Sequence, residues 1–320
     1  MNKPVTLKQI SEIAGCSVNT ASRALRGCSD ISIETQKKIK KIAEEYGYIP
    51  NKVPAFMRFG KTNMIGVVIS SITNPYFTIA IDELSRELQQ HGYYPMIMVS
   101  NDILDMNLLM KLLENKVSGI VSFSDIEDNV ADYCYEKNVC LIRVGSKPKH
   151  EKVNAIYADW YECGKLVAEE AIRRKCKRPC YINCKSVSSN IDRRNGFIDH
   201  LKKANFTYDE YDCNFHARHE KANILKKQIT ENKNDFIFCF NDEIASFIIE
   251  LLEECNYSNY TIFGIDGVSR YLPICRKINS VGGNFREISR RCTEILLNKI
   301  NNSDETIVRE VYPTEIILFD

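Results

Sequence analysis

The feature that most constrains this chain is an alternation that starts at Met64. Continuous apolar runs, first Met64-Ile65-Gly66-Val67-Val68-Ile69 and then Tyr94-Pro95-Met96-Ile97-Met98-Val99, recur at Gly119-Ile120-Val121, Val139-Cys140-Leu141-Ile142, Tyr181-Ile182, Phe236-Ile237-Phe238-Cys239-Phe240 and Tyr260-Thr261-Ile262-Phe263-Gly264. Amphipathic, helix-length segments lie between most of them. A strand with no polar alternation is buried on both faces, and buried strands alternating with helices specify parallel sheets with helices on each side. Roughly 260 residues of this pattern fit two α/β lobes, in which ligands bind beyond the carboxyl ends of the strands.

The first sixty residues read differently. Thr6-Leu7-Lys8-Gln9 is a capping box that opens a short helix with Leu7, Ile10 and Ala14 on one face, and Gly15 stops it. Ser17 caps a second helix (Ala21, Ala24, Leu25), and Ser32 caps a third whose inner stripe is Ile39, Ile42, Ala43 and Tyr46. Residues 1–60 hold ten Lys/Arg against five Asp/Glu, so a head of charge +5 joins a body of −4 although the whole chain is only +1. A basic head on a slightly acidic body suggests a polyanion for the head alone.

At 44% hydrophobic and 27% charged, the chain has the composition of a soluble globular protein. It has no apolar run of spanning length and no signal-like start, so it is expected in the cytoplasm, with no membrane partner. The thirteen cysteines are odd in number and scattered, and several lie in apolar runs, which reads as reduced, buried thiols. Cys176, Cys180 and Cys184 are spaced without a CxxC pair, and no metal or cofactor is expected. Asp242-Glu243 and Glu253-Glu254 are adjacent carboxylates that would not face one another on a helix. His91, His150, His200, His216 and His219 form no nucleophile or zinc pattern, so no enzyme is expected.

Thr6-Leu7-Lys8-Gln9-Ile10-Ser11-Glu12-Ile13-Ala14-Gly15-Cys16-Ser17-Val18-Asn19-Thr20-Ala21-Ser22-Arg23 resembles, in register, the T-L-x-x-[IV]-A-x-x-A-G-V-S-x-x-T-V-S-R opening of the lac repressor (LacI/GalR) family. Tyr48-Ile49-Pro50-Asn51 follows as that family's Y-x-P-N. Asn74-Pro75-Tyr76-Phe77, Arg193-Arg194-Asn195-Gly196-Phe197, Asn241-Asp242 and Gly264-Ile265-Asp266-Gly267 match its core motifs in order. The resemblance implies an all-α helix-turn-helix head (1–50), a hinge helix and linker (51–61), and an α/β two-lobed, periplasmic-binding-protein-like core (62–320). That core would hold two parallel doubly wound sheets, with lobe 1 at about 62–160 and 283–305 and lobe 2 at about 161–282 and 306–320. By position, Val18, Asn19 and Arg23 would read base edges in the major groove, while Thr6, Ser17, Thr20, Ser22, Ser32, Thr35, Tyr48 and Asn51 would position phosphates. Met57 takes the place of the hinge leucine that wedges into the minor groove. The other reading of these polar residues is caps and surface groups of a small three-helix unit.

In the core the resemblance marks Tyr76, Phe77, Arg193, Asn241 and Asp266 as groups around a small-molecule effector; the competing readings are core packing for Phe77 and a mutual ion pair for Arg193 and Asp266. Two departures bear on the ligand. Arg143 stands where many relatives carry an Asp that binds sugar hydroxyls, and Trp160, the only tryptophan, follows Asp159 where the family has Asp-Asn. An added cation would favour a sugar phosphate or sugar acid over a neutral sugar, and Trp160 would stack on a ring face. The closing Glu310–Leu318 segment resembles the family's last strand, with Phe319 replacing an Arg and no heptad tail beyond it, so a homodimer is the expected assembly. The implied function is operator-specific, effector-controlled regulation of transcription, with repression as its default sign; the competing reading is a two-lobed sugar binder without operator-specific regulation.

Overall fold

The computed structural model describes residues 5–49, 62–184, 190–213, 220, 222–272, 276–302 and 306–319. Residues 1–61 and 62–320 are separate compact units.

The head is three helices, α1 (Leu7–Ala14), α2 (Val18–Leu25) and α3 (Ile33–Glu45). Both halves of the capping box at Thr6 form, and Gly15 leaves α1 at φ +69°. Ile10, Ala14, Ala21, Ala24 and Ile39 make the small core, with Leu7, Leu25, Ile42 and Tyr48 packed at its edge. The hydroxyl of the buried Ser11 donates to Lys8 O at 2.7 Å, which satisfies it where the family carries Ala. Tyr46 departs from the expected inner stripe. It follows the last turn of α3 and is exposed, and Tyr48 packs against the core in its place.

The core opens with β1 (Met64–Ile69), α4 (Pro75–Gln90), β2 (Tyr94–Val99), β3 (Ile103–Leu104), α5 (Met106–Glu114), β4 (Gly119–Ser122), β5 (Asp125–Ile126), α6 (Asp128–Glu136), β6 (Leu141–Gly145) and β7 (Asn154–Tyr157). The second lobe follows with α7 (Trp160–Arg173), β8 (Pro179–Asn183), α8 (Asn190–Lys203), β9 (Asp209–Asp212), α9 (Ala222–Glu231), β10 (Phe236–Cys239), α10 (Asp242–Glu253), β11 (Thr261–Ile265) and β12 (Asn279–Gly282). The chain ends with α11 (Phe285–Asn302), β13 (Arg309–Val311) and β14 (Glu315–Ile317).

Each lobe holds a six-stranded sheet, ordered β13-β7-β6-β4-β1-β2 in the first and β14-β12-β11-β10-β8-β9 in the second. All pairings are parallel except β12 with β14, where the last strand runs antiparallel along an edge. Every residue of β4, β6, β8 and β10 is buried, the charged Arg143 of β6 included, as expected of strands covered on both faces. The last return to the second lobe comes later than the expected 306. Arg309–Val311 pairs with Ala155–Tyr157 on the open edge of β7, so that stretch belongs to the first lobe and the crossing follows Val311.

All described cysteines are free thiols. Among the described residues no His, Cys, Asp and Glu group could hold a metal ion, and no helix is long and apolar enough to cross a membrane.

Candidate nucleic-acid interface and effector cleft

Ala21 and Ala24 bury one face of α2 and leave Val18 and Asn19 exposed on another. The Ser17 hydroxyl accepts from Thr20 N at 3.0 Å and shares a 2.8 Å hydrogen bond with the Thr20 hydroxyl. Ser32 repeats the arrangement with Thr35 at 3.2 and 2.8 Å. Thr6, Ser17 and Ser32 are thus helix caps, which leaves the amides of the first turns and their positive end of the dipole as the groups suited to an anion. Ser22 and Tyr48 are half-buried. Arg23 lies in the last turn of α2, where its Nη2 meets Asp30 Oδ2 at 2.7 Å and its Nε is buried without a partner. Asn51, Met57 and the rest of the segment 51–61 expected to form a hinge lie outside the described residues.

In the core, two glycines decide where the cleft residues sit. A Cβ on Gly164 of α7 would come 2.0 Å from Arg193 O, and one on Gly196 of α8 would come 1.9 Å from Tyr161 O. Only glycine lets the two helix backbones approach so closely. Arg193, three residues before Gly196, is thereby carried to the start of α7. Its guanidinium carbon lies 3.9 Å from the Trp160 ring centroid and 4.8 Å from that of Phe240, and Nη1 donates to Phe240 O at 2.8 Å. Arg193 is only 5% exposed, and its Nε has no partner. A cation held against two rings can attract the acceptor of a ligand that enters beside it.

Trp160 is the first residue of α7, which Asp159 caps, and its Nε1 donates to Ser146 Oγ at 3.2 Å. Tyr76 stands in the first turn of α4 among Phe77, Phe123 and Phe285, with ring centroids 5.2, 6.3 and 5.4 Å away. Gly145, at φ +97°, makes room for the Tyr76 hydroxyl, because a Cβ there would stand 2.9 Å from it. Burial pushes the Tyr76 phenol up to about 12. Asp266 follows β11 at φ +119°, a strained backbone for a non-glycine residue. Burial pushes its carboxyl up to about 7, against the pull of the Arg193 charge.

Tyr76, Trp160 and Asp266 meet around a void of about 10 Å³ that Phe285 and Tyr312 also line. Arg143 and Trp160 line a second, open cavity of about 830 Å³, together with Ser146, Tyr157, Asp192 and Arg309. Trp160 is the wall common to both. Phe77 and Asn241 line neither: Phe77 packs in the aromatic cluster, and Asn241 caps α10 by accepting from Ile244 N at 2.9 Å. Arg143 is buried, with Nη1 donating to Ser122 O and Val144 O and Nη2 to Asp125 Oδ1 at 3.2 Å, all within the first lobe. Burial holds its pKa below the usual arginine value.

Two residues beyond the expected site residues bear on this cleft, Asp242 from behind and Arg309 as part of the open cavity's lining. Asp242 accepts from Ser280 Oγ at 2.7 Å and from Val268 N at 2.9 Å, which pins the turn that carries Asp266. Its place after Asn241 was a usable signal. Arg309 donates to Pro148 O at 2.6 Å and keeps a buried, unpartnered Nε. It sits on a three-residue strand more than a hundred residues from its neighbours, and no local pattern marks it.

Comparison with known proteins follows the same division of the chain. The sequence profile of bacterial regulatory proteins of the lacI family matches residues 6–51, and that of periplasmic binding proteins and the sugar-binding domain of the lacI family matches residues 62–271. The chain is 24% identical to the transcriptional repressor PurR of Vibrio atlanticus over 96% of each protein, and 26% identical to the sucrose operon repressor of Streptococcus mutans over 93% of each. It shares its fold with the lac repressor dimer bound to operator and an anti-inducer (TM-score 0.81, 19% identity, 99% of this chain and 98% of that one). It also shares it with a CelR–cellobiose complex (TM-score 0.65, 18% identity, 98% of each). With both units matched in order, the chain belongs to the lacI family of bacterial regulatory proteins.

Proposed function

We propose that the protein is a cytoplasmic homodimeric repressor that binds a pseudo-palindromic operator and is controlled by a small carbohydrate-like effector held beside Trp160 and Arg193. The observation that carries the DNA half is the exposed Val18 and Asn19 on the same short helix as Arg23, with the opposite alanine face buried. Arg can fork to guanine, Asn can pair with adenine, and Val can touch a thymine methyl. Residues 51–61 act as the hinge, with Met57 as the minor-groove wedge. The dimer is supported by β2, an edge strand with Tyr94, Ile97 and Val99 exposed. The effector is a sugar, sugar phosphate or sugar acid; relatives of this fold hold cellobiose, as the CelR complex does. Its differential affinity for two packings of the dimer sets operator affinity.

The test is a binding selection from random duplex DNA with the full-length protein. Palindromic sequences should be enriched, and Arg23→Ala should relax the preference at one position by about 1–3 kcal/mol. No preference among duplexes, with or without sugars and sugar phosphates, would leave only a two-lobed small-molecule binder.

A further inference from the structure

We infer that Asp30 is a specificity-determining positioning residue: its grip on one end of the Arg23 guanidinium aims the other end at a base edge and withholds the arginine from phosphates. The inference rests on the DNA-binding reading given above. Arg23 has three edges to offer. The Nε edge is closed, since that nitrogen is buried, and part of Nη2 is taken by the 2.7 Å contact with Asp30. What remains is the end of the fork, one N–H of Nη1 beside the second N–H of Nη2, and guanine O6 and N7 need only two such parallel donors.

The backbone that carries Asp30 is fixed, and from it the half-exposed carboxylate reaches Arg23. Asp30 lies in the turn between α2 and α3, which Gln36 pins by donating to Cys28 O at 3.0 Å and to Ile31 O at 2.9 Å. Ile31 N closes the same turn on Cys28 O at 3.1 Å. Arg26 also bears on the Asp30 carboxylate, but its Nε donates to Ser22 O at 3.3 Å, and the contact with Asp30 belongs to Arg23.

The electrostatics favour discrimination. A carboxylate beside Arg23 cancels most of the charge with which it would attract any phosphate, and it repels the backbone of a poorly matched duplex. Guanine offers dipolar acceptors along a fixed direction, so a guanidinium already oriented by Asp30 loses little by adding them. Asp30 therefore weakens binding to wrong duplexes more than binding to the right one.

The experiment uses the full-length protein and the operator that the wild type enriches from random duplex DNA. Affinities of wild type, Asp30→Asn and Asp30→Glu are measured on that operator and on a random duplex at several salt concentrations, and the selection is repeated with each variant. Asp30→Asn should lower the operator-to-random ratio about tenfold and remove the guanine preference at the position that Arg23→Ala also loses. Its binding to random duplex should steepen in salt by about one phosphate contact, a slope change of roughly 0.9. Asp30→Glu should restore most of the ratio. A folded Asp30→Asn protein that keeps the ratio within about twofold and the same base preference overturns the inference. A wild type that enriches no duplex removes the DNA-binding reading itself, and Asp30 loses its role with it.

Discussion

The guanidinium carbon of Arg193 lies 3.9 Å from the ring centroid of Trp160 and 4.8 Å from that of Phe240. Lysine would keep the charge but lose the planar fork and the stacking. Arg193→Lys should shift the emission of Trp160, the only tryptophan, in the free protein. Affinity for any sugar or sugar phosphate that the wild type binds should fall by roughly tenfold or more, since a charge-assisted, stacked contact is worth about 1.5–3 kcal/mol. Fluorescence titration reads both effects; unchanged emission together with unchanged affinity would remove Arg193 from the cleft.

The crossing of α7 and α8 gives a sharper structural test. Because a methyl on Gly196 would meet Tyr161 O at 1.9 Å, Gly196→Ala must push the helices apart. Backbone cannot give way as a side-chain tip can, so about 1–3 kcal/mol of stability should be lost. Arg193 should also leave the Trp160 ring, giving the fluorescence signature of the Arg193→Lys protein. Urea unfolding measures the first and emission the second.

Ser17→Ala removes the acceptor for Thr20 N at the start of α2. The head should lose about 1 kcal/mol of stability, as for other cap deletions. Affinity for operator and random duplex should fall together, because a cap orients the helix without reading a base. A loss confined to the operator would make Ser17 a reader.

Much of this was legible from local pattern. The capping box at Thr6, the caps at Ser17 and Ser32, and the unbroken apolar strands are set by neighbours within four residues or by burial on both faces, so the sequence spells them out. What it did not spell out depends on distant partners. Arg143 reads as an extra cation for a ligand and does line the open cavity, but its contacts with Asp125 and two backbone carbonyls come from partners that no local pattern marks. Arg309 and the pairing of β13 with β7 join segments some 150 residues apart, beyond any periodicity. Asn241 and Asp242 exchange emphasis for the same reason: the first is a local cap, while the second reaches Ser280 and Val268 across the fold.

Asp266 should make the core pH-sensitive. Burial raises its carboxyl from the ordinary 3.8 to about 7, so the folded protein holds that proton more tightly than the unfolded chain does. The native state then binds more protons between these two values, and stability must fall as pH rises through that window and level off above it. The slope for one group is at most about 1.4 kcal/mol per pH unit. Asp242, pushed up by burial and by Asp266, acts in the same direction, so Asp266→Asn should flatten the profile in part. Above the window Asp266 is charged, faces Arg193, and becomes a pure acceptor for sugar hydroxyls, so effector affinity should rise as stability falls. Urea unfolding of wild type and Asp266→Asn at pH values from about 5 to about 8 tests the linkage. Parallel profiles for the two proteins would show that the Asp266 proton is not held in the fold.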